Sequence, residues 1–293
     1  MTDTTLRSRL AVRPILVAPG VYDALTAHLA ERAGFSALYV SGAGIAYTRL
    51  GRPDIGLVAM SEVADTVALI RDRVGSHLIV DADTGYGNAL NVARTVRAFE
   101  RAGANAIQIE DQAFPKRCGH LDGKEVVPLA EMANKLVAAL TCRTDPDFCI
   151  IARTDARGVN GFDDAIERGR AFAKLGVDAV FIEAPQSEAE LEEIPRALPN
   201  IPLLVNVFKG GKTPVLPVER LQQIGYRIAI YPSETQRAGI YAMRMALGVL
   251  KQHGTTEAMD AALTTFKERD QIVGLDDWQK LERQYMAIEE EKS

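Results

Sequence analysis

Short apolar runs, rich in β-branched residues, alternate along the chain with longer stretches of helical periodicity. Eight of these runs predict strands, which cover residues 15–18, 37–40, 77–81, 105–110, 148–153, 178–183, 202–206 and 227–231. Amphipathic segments such as ALNVARTVRAFERAG and FDDAIERGRAFAKLG lie between them. Because strands that alternate with helices form βα units, the pattern indicates an α/β fold with a parallel sheet.

A weak internal repeat supports this organisation. The segments ERAGFSALYV, ERAGANAIQI, AKLGVDAVFI and QQIGYRIAIY share one plan, in which a helix ends at a glycine and a strand begins shortly afterwards. Glycine is the natural residue at such a helix end because it adopts the left-handed conformation without a Cβ clash. Eight strands with helical crossovers fit a (β/α)8 TIM-type barrel better than an open, doubly wound sheet.

The segment after the last strand is too long for a minimal barrel. Residues 232–293 look helical, and a single barrel-closing helix needs fewer than half of them. We therefore expect one barrel domain over residues 1–293, in which residues 232–293 form a C-terminal helical segment. The surplus packs either on a partner subunit or over the barrel of its own chain.

Composition and charge exclude several classes of protein. The 293 residues carry a net charge of −5 and no basic run, which argues against a nucleic-acid partner. No apolar window is long enough for a membrane span, and the polar start MTDTTLRSRL lacks a signal core. The cysteines, Cys118, Cys142 and Cys149, match no zinc spacing, and their odd number disfavours a disulfide framework. We expect a cytoplasmic protein.

Polar and charged side chains cluster where the predicted strands end, which is where TIM barrels carry their active sites. They are Ser41, Asp81, Asp83, Glu110, Asp111, Arg153, Thr154, Asp155, Glu183 and Asn206, and Gly42 and Gly44 after Ser41 add backbone donors. A serine or aspartate that caps a helix is ordinary at such a junction. Helix capping does not explain four acids and an arginine at successive junctions, so we predict a functional site there.

Four acids of this region predict a magnesium site. Asp81 and Asp83 face the same way on an extended strand, Glu110 ends the next strand, and Asp54 lies in the loop after the second strand. Converging carboxylates repel one another, and Mg²⁺ relieves that repulsion with one or two direct carboxylates and several waters. Mn²⁺ is the alternative ion. The other interpretation is that one of these acids caps a helix or pairs with Arg153.

A long loop after the fourth strand carries the sequence EDQAFPKRCGHLDGK. Residues 112–127 form sixteen positions between strand and helix, and loops of this length often bind ligands. Around Cys118, the cations Lys116, Arg117 and His120 favour a thiolate, whereas carboxylates and desolvation favour the thiol. Either state suits proton transfer. Arg153 is the predicted anchor for a substrate carboxylate, with Lys116 and Arg117 as second contacts.

These motifs together resemble a known family. From Pro19 onwards the chain contains, in order, PGVYDALTA, SGAG, LGRPDIG, DADTGYGN, IEDQ, KRCGH, IARTDA and GGKTP. This series resembles the isocitrate lyase/phosphoenolpyruvate mutase superfamily. The KRCGH segment is similar to the lyase branch, which includes 2-methylisocitrate lyase and 2,3-dimethylmalate lyase. Carboxyphosphonoenolpyruvate phosphonomutase is similar through the same segment, whereas phosphoenolpyruvate mutases carry a K-T-N type of loop.

The resemblance implies both an assembly and roles for single residues. It implies a (β/α)8 barrel whose last helix is exchanged between subunits, in a homodimer or homotetramer with bound Mg²⁺. Cys118 matches the general acid of the lyases, with Glu110, His120 and Arg153 as further catalytic positions. Asp81 and Asp83 match the metal acids, with Asp54 and Glu110 around them. The substrate-contact positions are Ser41, Gly42, Gly44, Asp81, Gly119, His120, Arg153, Glu183 and Asn206.

The implied function is a Mg²⁺-dependent carbon–carbon lyase. It would cleave a small 2-hydroxy di- or tricarboxylate, of the 2-methylisocitrate or 2,3-dimethylmalate type, into a 2-oxo acid such as pyruvate and a carboxylate. The alternatives are a phosphonomutase that forms a P–C bond, an oxaloacetate hydrolase or decarboxylase, and a non-enzymatic binding barrel. The sequence departs from the lyases at Tyr47, at Arg52 and in the segment YPSET at 231–235. These departures put the exact substrate in question more than the chemistry.

Overall fold

The computed structural model describes residues 4–119 and 123–290, and its eight strands close in sequence order into a barrel. The strands are β1 (Leu16–Val21), β2 (Ala37–Val40), β3 (His77–Asp81), β4 (Ala106–Glu110), β5 (Cys149–Thr154), β6 (Ala179–Ile182), β7 (Leu203–Asn206) and β8 (Ile228–Tyr231). All neighbouring strands pair in parallel, and β8 returns to β1 with Ile228 opposite Leu16. The predicted (β/α)8 TIM-type barrel is confirmed.

Helices alternate with the strands along the chain, and further helices come after the last strand. They are α1 (Leu6–Leu10), α2 (Ala24–Arg32), α3 (Gly42–Ile45), α4 (Met60–Arg73), α5 (Ala89–Arg101), α6 (Leu129–Cys142), α7 (Phe162–Lys174), α8 (Glu188–Ala197), α9 (Val218–Ile224), α10 (Glu234–His253), α11 (Phe266–Val273) and α12 (Leu275–Glu290). A π-helical turn, Ala46–Leu50, continues α3 directly. Within the part of the chain that the structure describes, no helix combines the length and apolar character that a bilayer crossing requires.

The first strand is longer than the sequence pattern predicts. Pairing continues beyond Ala18, with Pro19 opposite Tyr231 and Gly20 opposite Tyr39. Gly20 is required in this position because a Cβ there would collide with the backbone of Pro232. The close approach of β1 to Pro232, directly after β8, thus explains why a glycine lies inside this strand.

The core has two layers. Inward-facing residues such as Tyr39, Ile151 and Phe181 fill the barrel, together with Leu6 and Leu10 of α1. Outward-facing strand residues pack against the helices in a second, larger apolar cluster. This alternation along each strand is the usual division of side chains in a closed barrel. It leaves the carboxyl ends of the strands to the polar residues.

The chain divides into two compact units. The first comprises residues 1–236 and contains the barrel, and the second comprises residues 237–293 and contains α11, α12 and most of α10. In the second unit, none of the side chains described between 237 and 286 is buried. The interpretation of residues 1–293 as a single domain stays a prediction.

Candidate functional site

The carboxylates of Asp81 and Asp83 lie side by side at the end of β3. Asp81 is the last residue of the strand, and Asp83 lies in the turn that follows, not on the extended strand that the sequence predicted. Both residues are buried, and they face Gly42, the first residue of α3. A Cβ on Gly42 would lie 3.1 Å from Asp81 Oδ2 and 3.5 Å from Asp83 Oδ1. Asp83 has a φ of +46°. Residues other than glycine rarely adopt this backbone conformation, and those that do are concentrated at functional sites. The loop after β3 therefore brings two acids together at the barrel mouth.

A lysine from the long loop joins this pair of acids. Lys116 Nζ lies 2.7 Å from Asp83 Oδ1 and also forms an ion pair with Asp54. Burial raises the pKa of the Asp83 carboxyl to about 7, although the charge of Lys116 opposes the rise. Lys116, which the sequence suggested as a second contact for the substrate anion, is thus placed on the acids.

The guanidinium of Arg153 lies among three carboxylates. Its Nε and Nη2 donate to the two oxygens of Asp155 at 2.9 and 3.1 Å. Nη1 lies 3.2 Å from Glu110 Oε2, and Nη2 lies 3.4 Å from Glu183 Oε2. Burial would lower the pKa of Arg153, but these acids hold it well above its usual value. The interpretation that one acid of the predicted metal set pairs with Arg153 therefore holds for Glu110.

Glu110 connects this cluster to the acids after β3. Burial raises its pKa well above the usual value, Arg153 opposes the shift, and the charges of Asp155 and Asp83 contribute to it. In the described ranges no donor reaches Glu110 Oε1 within hydrogen-bonding distance. Such a group lacks compensation for its burial unless a cation or a ligand approaches it.

The remaining predicted contact residues complete the rim. Ser41 Oγ accepts a hydrogen bond from Gly44 N at 3.1 Å, so Ser41 caps α3. Asn206, at the end of β7, donates to Glu183 Oε2 at 3.4 Å. The predicted residues at the ends of β2 to β7 thus meet at one rim. His120, predicted as a catalytic and substrate-contact residue, lies outside the described residues.

The loop that carries Cys118 is anchored at its base. Gln112 and Val126 form an antiparallel bridge, and Cys118 itself is half-buried. Tyr47, in the π-helical turn, lies close enough that the charge of Cys118 influences it. Burial raises the pKa of the Tyr47 phenol, and Cys118 and Asp54 add to the rise. Tyr47 is one of the departures from the lyase pattern, and it lies within electrostatic range of Cys118.

The residue after the cysteine packs directly on Arg153 and Glu183. A Cβ on Gly119 would lie 2.5 Å from Arg153 Nη2 and 2.7 Å from Glu183 Cγ. Atoms this close to a new methyl group must move. The cysteine loop and the guanidinium are therefore in contact, and Gly119 makes the contact by having no side chain.

A buried network that sequence reasoning missed supports the rim from below. Asp111 Oδ2 accepts hydrogen bonds from Thr154 Oγ1 at 2.6 Å and from Arg168 Nη1 at 3.0 Å. Asp111 Oδ1 accepts the backbone N–H of Asp155 at 2.9 Å. Asp111 and Thr154 appeared among the polar strand ends without a role. Arg168 gave no sequence signal, because an arginine on an amphipathic helix is usually a surface residue.

The acid pair fits a magnesium ion that retains water ligands. Within residues 4–119 and 123–290, no group of three or more His, Cys, Asp and Glu side chains is placed to hold a metal. Mg²⁺ does not require such a cage, since one or two carboxylates and several waters satisfy it. Asp81 and Asp83 supply that number of oxygen donors. Lys116 Nζ, 2.7 Å from Asp83 Oδ1, supplies one positive charge to this cluster.

Comparisons with known proteins agree with this geometry. A family model described as phosphoenolpyruvate phosphomutase matches residues 6–250. The chain is 42% identical to 2,3-dimethylmalate lyase of Eubacterium barkeri over 284 residues, which cover 97% of this chain and 98% of the relative. It is 44% identical to 2-methylisocitrate lyase of Aeropyrum pernix over 286 residues, which cover 98% of this chain and 92% of the relative.

The solved structures give the same result. The structure of oxaloacetate acetylhydrolase in complex with the inhibitor 3,3-difluorooxalacetate superposes with a TM-score of 0.90 at 36% sequence identity, and the match covers 96% of each chain. Fold, motif order and full-length similarity therefore agree with one another. The chain belongs to the isocitrate lyase/phosphoenolpyruvate mutase superfamily.

Proposed function

We propose that the protein is a Mg²⁺-dependent carbon–carbon lyase that acts on a small 2-hydroxy di- or tricarboxylate. The substrate is of the 2,3-dimethylmalate or 2-methylisocitrate type, and the products are a 2-oxo acid and a carboxylate. One observation carries the proposal. The loop with Cys118 touches the acid pair through Lys116 on one side and the Arg153 cluster through Gly119 on the other.

In this arrangement the acid pair and Arg153 act on different parts of a bound hydroxy acid. When bound by Asp81 and Asp83, Mg²⁺ would polarise the substrate hydroxyl and the adjacent carboxylate, which lowers the pKa of that hydroxyl. Arg153 binds the other end of the substrate, since guanidinium is the preferred partner of a carboxylate. Its bonds to Asp155 hold the guanidinium in one orientation.

The bond cleavage then follows the pattern of a retro-aldol reaction. A base accepts the hydroxyl proton, the carbonyl of the 2-oxo acid forms, and the carbon–carbon bond breaks. The electron pair of that bond passes to the second fragment as an enediolate, which Arg153 stabilises by its charge. The Cys118 thiol donates its proton to the carbon of this fragment and leaves a thiolate. The first product is pyruvate when the hydroxyl carbon carries a methyl group.

A substrate panel tests the proposal. Pyruvate release from 2-methylisocitrate and 2,3-dimethylmalate is followed with lactate dehydrogenase and Mg²⁺, and oxaloacetate is assayed in parallel for oxalate and for pyruvate. We expect pyruvate from one of the two hydroxy acids. Turnover of oxaloacetate alone would contradict the lyase. Conversion of carboxyphosphonoenolpyruvate, followed by phosphorus NMR, would assign the protein to the phosphonomutases instead.

Gly119 provides a first mutational test. Gly119→Ala should lower kcat/KM by about 10- to 100-fold, because its methyl group displaces the loop from Arg153 and Glu183 by a fraction of an ångström. The matched control is Gly75→Ala, between α4 and β3, where a Cβ meets only Glu31 Oε1 at 3.8 Å. Steady-state kinetics of both variants decide the question. If Gly119→Ala were as active as the control, the close contact of the cysteine loop with Arg153 and Glu183 would not be required for catalysis.

The second unit supports a further part of the proposal, that the chain forms a homodimer or homotetramer with its last helix exchanged. Large apolar side chains of α10 to α12 are exposed, among them Tyr241, Leu247, Phe266 and Trp278. Apolar surface of this extent usually marks a protein interface. Light scattering of the full chain should give two or four times the mass of 31.9 kDa. Trp278→Glu should shift the mass downward, and a monomeric wild type would contradict this part.

A further inference from the structure

Two buried side chains hold the backbone next to Cys118, one on each side of it. On the preceding side, the amide of Gln112 forms two hydrogen bonds with Arg117. Gln112 Nε2 donates to the Arg117 carbonyl at 2.9 Å, and the Arg117 N–H donates to Gln112 Oε1 at 2.9 Å. Gln112 is 1% exposed. Both backbone polar groups of the residue before the thiol are therefore fixed by one side chain.

On the following side, the side chain of Lys124 holds the backbone. Its ammonium donates to the carbonyl oxygen of Gly119 and to Asp155 Oδ1, the latter at 2.7 Å. The side chain of Lys124 is 3% exposed, and that of Asp155 is fully buried. A lysine rarely gives up its hydration to this extent unless its partners are well placed. Lys124 thus joins Gly119, the residue after the thiol, to Asp155 of the barrel.

Asp155 links this contact to the anion-binding arginine. The same carboxylate receives Lys124 on Oδ1 and Arg153 on both oxygens. Burial alone would raise the pKa of Asp155, but Arg153 and Lys124 lower it to about 2, so it is ionised at every working pH. Its backbone N–H is in turn held by Asp111. The acid is therefore a rigid anchor shared by the arginine and the cysteine loop.

Charge balance is only part of what Lys124 contributes. The charge of Arg153 is shared among Asp155, Glu110 and Glu183, so Lys124 adds a second positive charge beside these acids. Lys124 also adds the bond to Gly119, the residue whose Cα packs against Arg153 and Glu183. That bond sets the distance between the thiol-bearing backbone and the guanidinium.

We propose that Lys124 and Gln112 are positioning residues that hold Cys118 in register with Arg153. Gln112 fixes the residue before the thiol, and Lys124 fixes the residue after it to the shared anchor Asp155. The proposal rests on the proposed function in one respect, because it takes Cys118 as the proton donor. Neither side chain needs to touch the substrate, since each acts through the backbone next to the thiol.

The experiment compares Lys124→Met and Gln112→Met with wild type in the full chain. Met replaces Lys124 with similar length and without charge, and Asp155 keeps its bonds to Arg153. The matched control is Lys174→Met, at the exposed end of α7. Iodoacetamide alkylation is followed over a pH series by peptide mass spectrometry, which resolves Cys118, Cys142 and Cys149. The rate at the high-pH plateau reports access to Cys118, separately from its ionisation.

Lys124→Met should raise the plateau rate of Cys118 several-fold and leave Cys142 and Cys149 at their wild-type rates. On the substrate identified by the panel, kcat should fall by about 10- to 100-fold, the cost typical of a misplaced catalytic group, while KM changes less. Lys124→Arg, which keeps the charge, should recover part of kcat. Gln112→Met removes the hydrogen bonds to the residue before the thiol, so it should also raise the plateau rate of Cys118 and lower kcat. It takes the place of Lys124→Met if that variant does not fold.

Two results would overturn the proposal. One is an unchanged plateau rate of Cys118 in both variants, and the other is faster alkylation of Cys142 and Cys149 as well, which indicates general loosening. The alkylation measurement uses no substrate, so it is independent of the panel. A changed plateau with no lyase activity in wild type would leave the positioning role standing and remove the proposed function.

Discussion

Replacement of Cys118 by serine should lower the turnover of the hydroxy acid by about 10²- to 10⁴-fold, the range typical of a lost proton-transfer group. A serine hydroxyl is similar in size, but it is a far weaker acid than a thiol and does not protonate the leaving enediolate at a useful rate. Binding should be kept, because Lys116 and Gly119 still place the loop on the acid pair and on the Arg153 cluster.

The measurement is the steady-state rate of pyruvate release at saturating Mg²⁺, with KM reported separately. Cys142→Ser is the control, because this cysteine ends α6, away from the rim, and its thiol contacts the backbone carbonyls of Ala93 and Ala139. The control should behave like wild type. A Cys118→Ser enzyme within about tenfold of wild type would contradict the assignment, since a lost proton donor costs more than that.

Replacement of Asp83 by alanine should remove the dependence on Mg²⁺ together with the activity. Asp83 is one of the two acids that we propose as ligands of the ion, and its carboxylate also forms an ion pair with Lys116. With only Asp81 left beside Gly42, a cation that prefers oxygen ligands loses half of its direct carboxylates. The loss of rate should be at least as large as for Cys118→Ser, because the chemistry loses its Lewis acid.

Isothermal titration of Mg²⁺ into the full chain measures this loss without reference to catalysis. Wild type should bind the ion and lose activity on treatment with a chelator, whereas Asp83→Ala should show no binding heat. Asp72→Ala, an exposed acid of α4, is the matched control and should bind as wild type does. Thermal unfolding of each variant reports whether the fold is intact. An active, chelator-insensitive Asp83→Ala enzyme would refute the metal site.

The barrel could be predicted because its strands and helix ends depend on residues that are neighbours in the sequence. The glycines that close the repeated helix–strand unit, Gly34, Gly103, Gly176 and Gly225, all have positive φ values, of 95°, 95°, 84° and 128°. Each conformation is a property of its own short segment, and the sequence shows it directly. The extension of β1 through Gly20 was not predictable in this way, because it depends on the backbone of Pro232, far away in the sequence.

In the candidate site, too, the positions that depend on local sequence could be predicted, and the contacts between distant residues could not. Strand ends are visible in the sequence, and closure of a parallel barrel brings all of them to one rim, so Asp81, Asp83, Glu110, Arg153 and Glu183 could be named in advance. Which charged groups they pair with could not be predicted. Lys124 carries no pattern that distinguishes it from a surface lysine, and its burial between Gly119 and Asp155 follows from the path of a long loop.

The sequence by itself determined the order of strands and helices, the edge of the barrel that carries the polar residues, and the kind of chemistry that two acids, an arginine and a thiol offer. Only the tertiary structure decided which charges pair: Lys116 with Asp54 and Asp83, and Arg153 with Asp155 and Glu110. The physical reason is one of range. Periodicity and helix ends depend on neighbours in the chain, whereas an ion pair depends on distances that exist only once the barrel has closed.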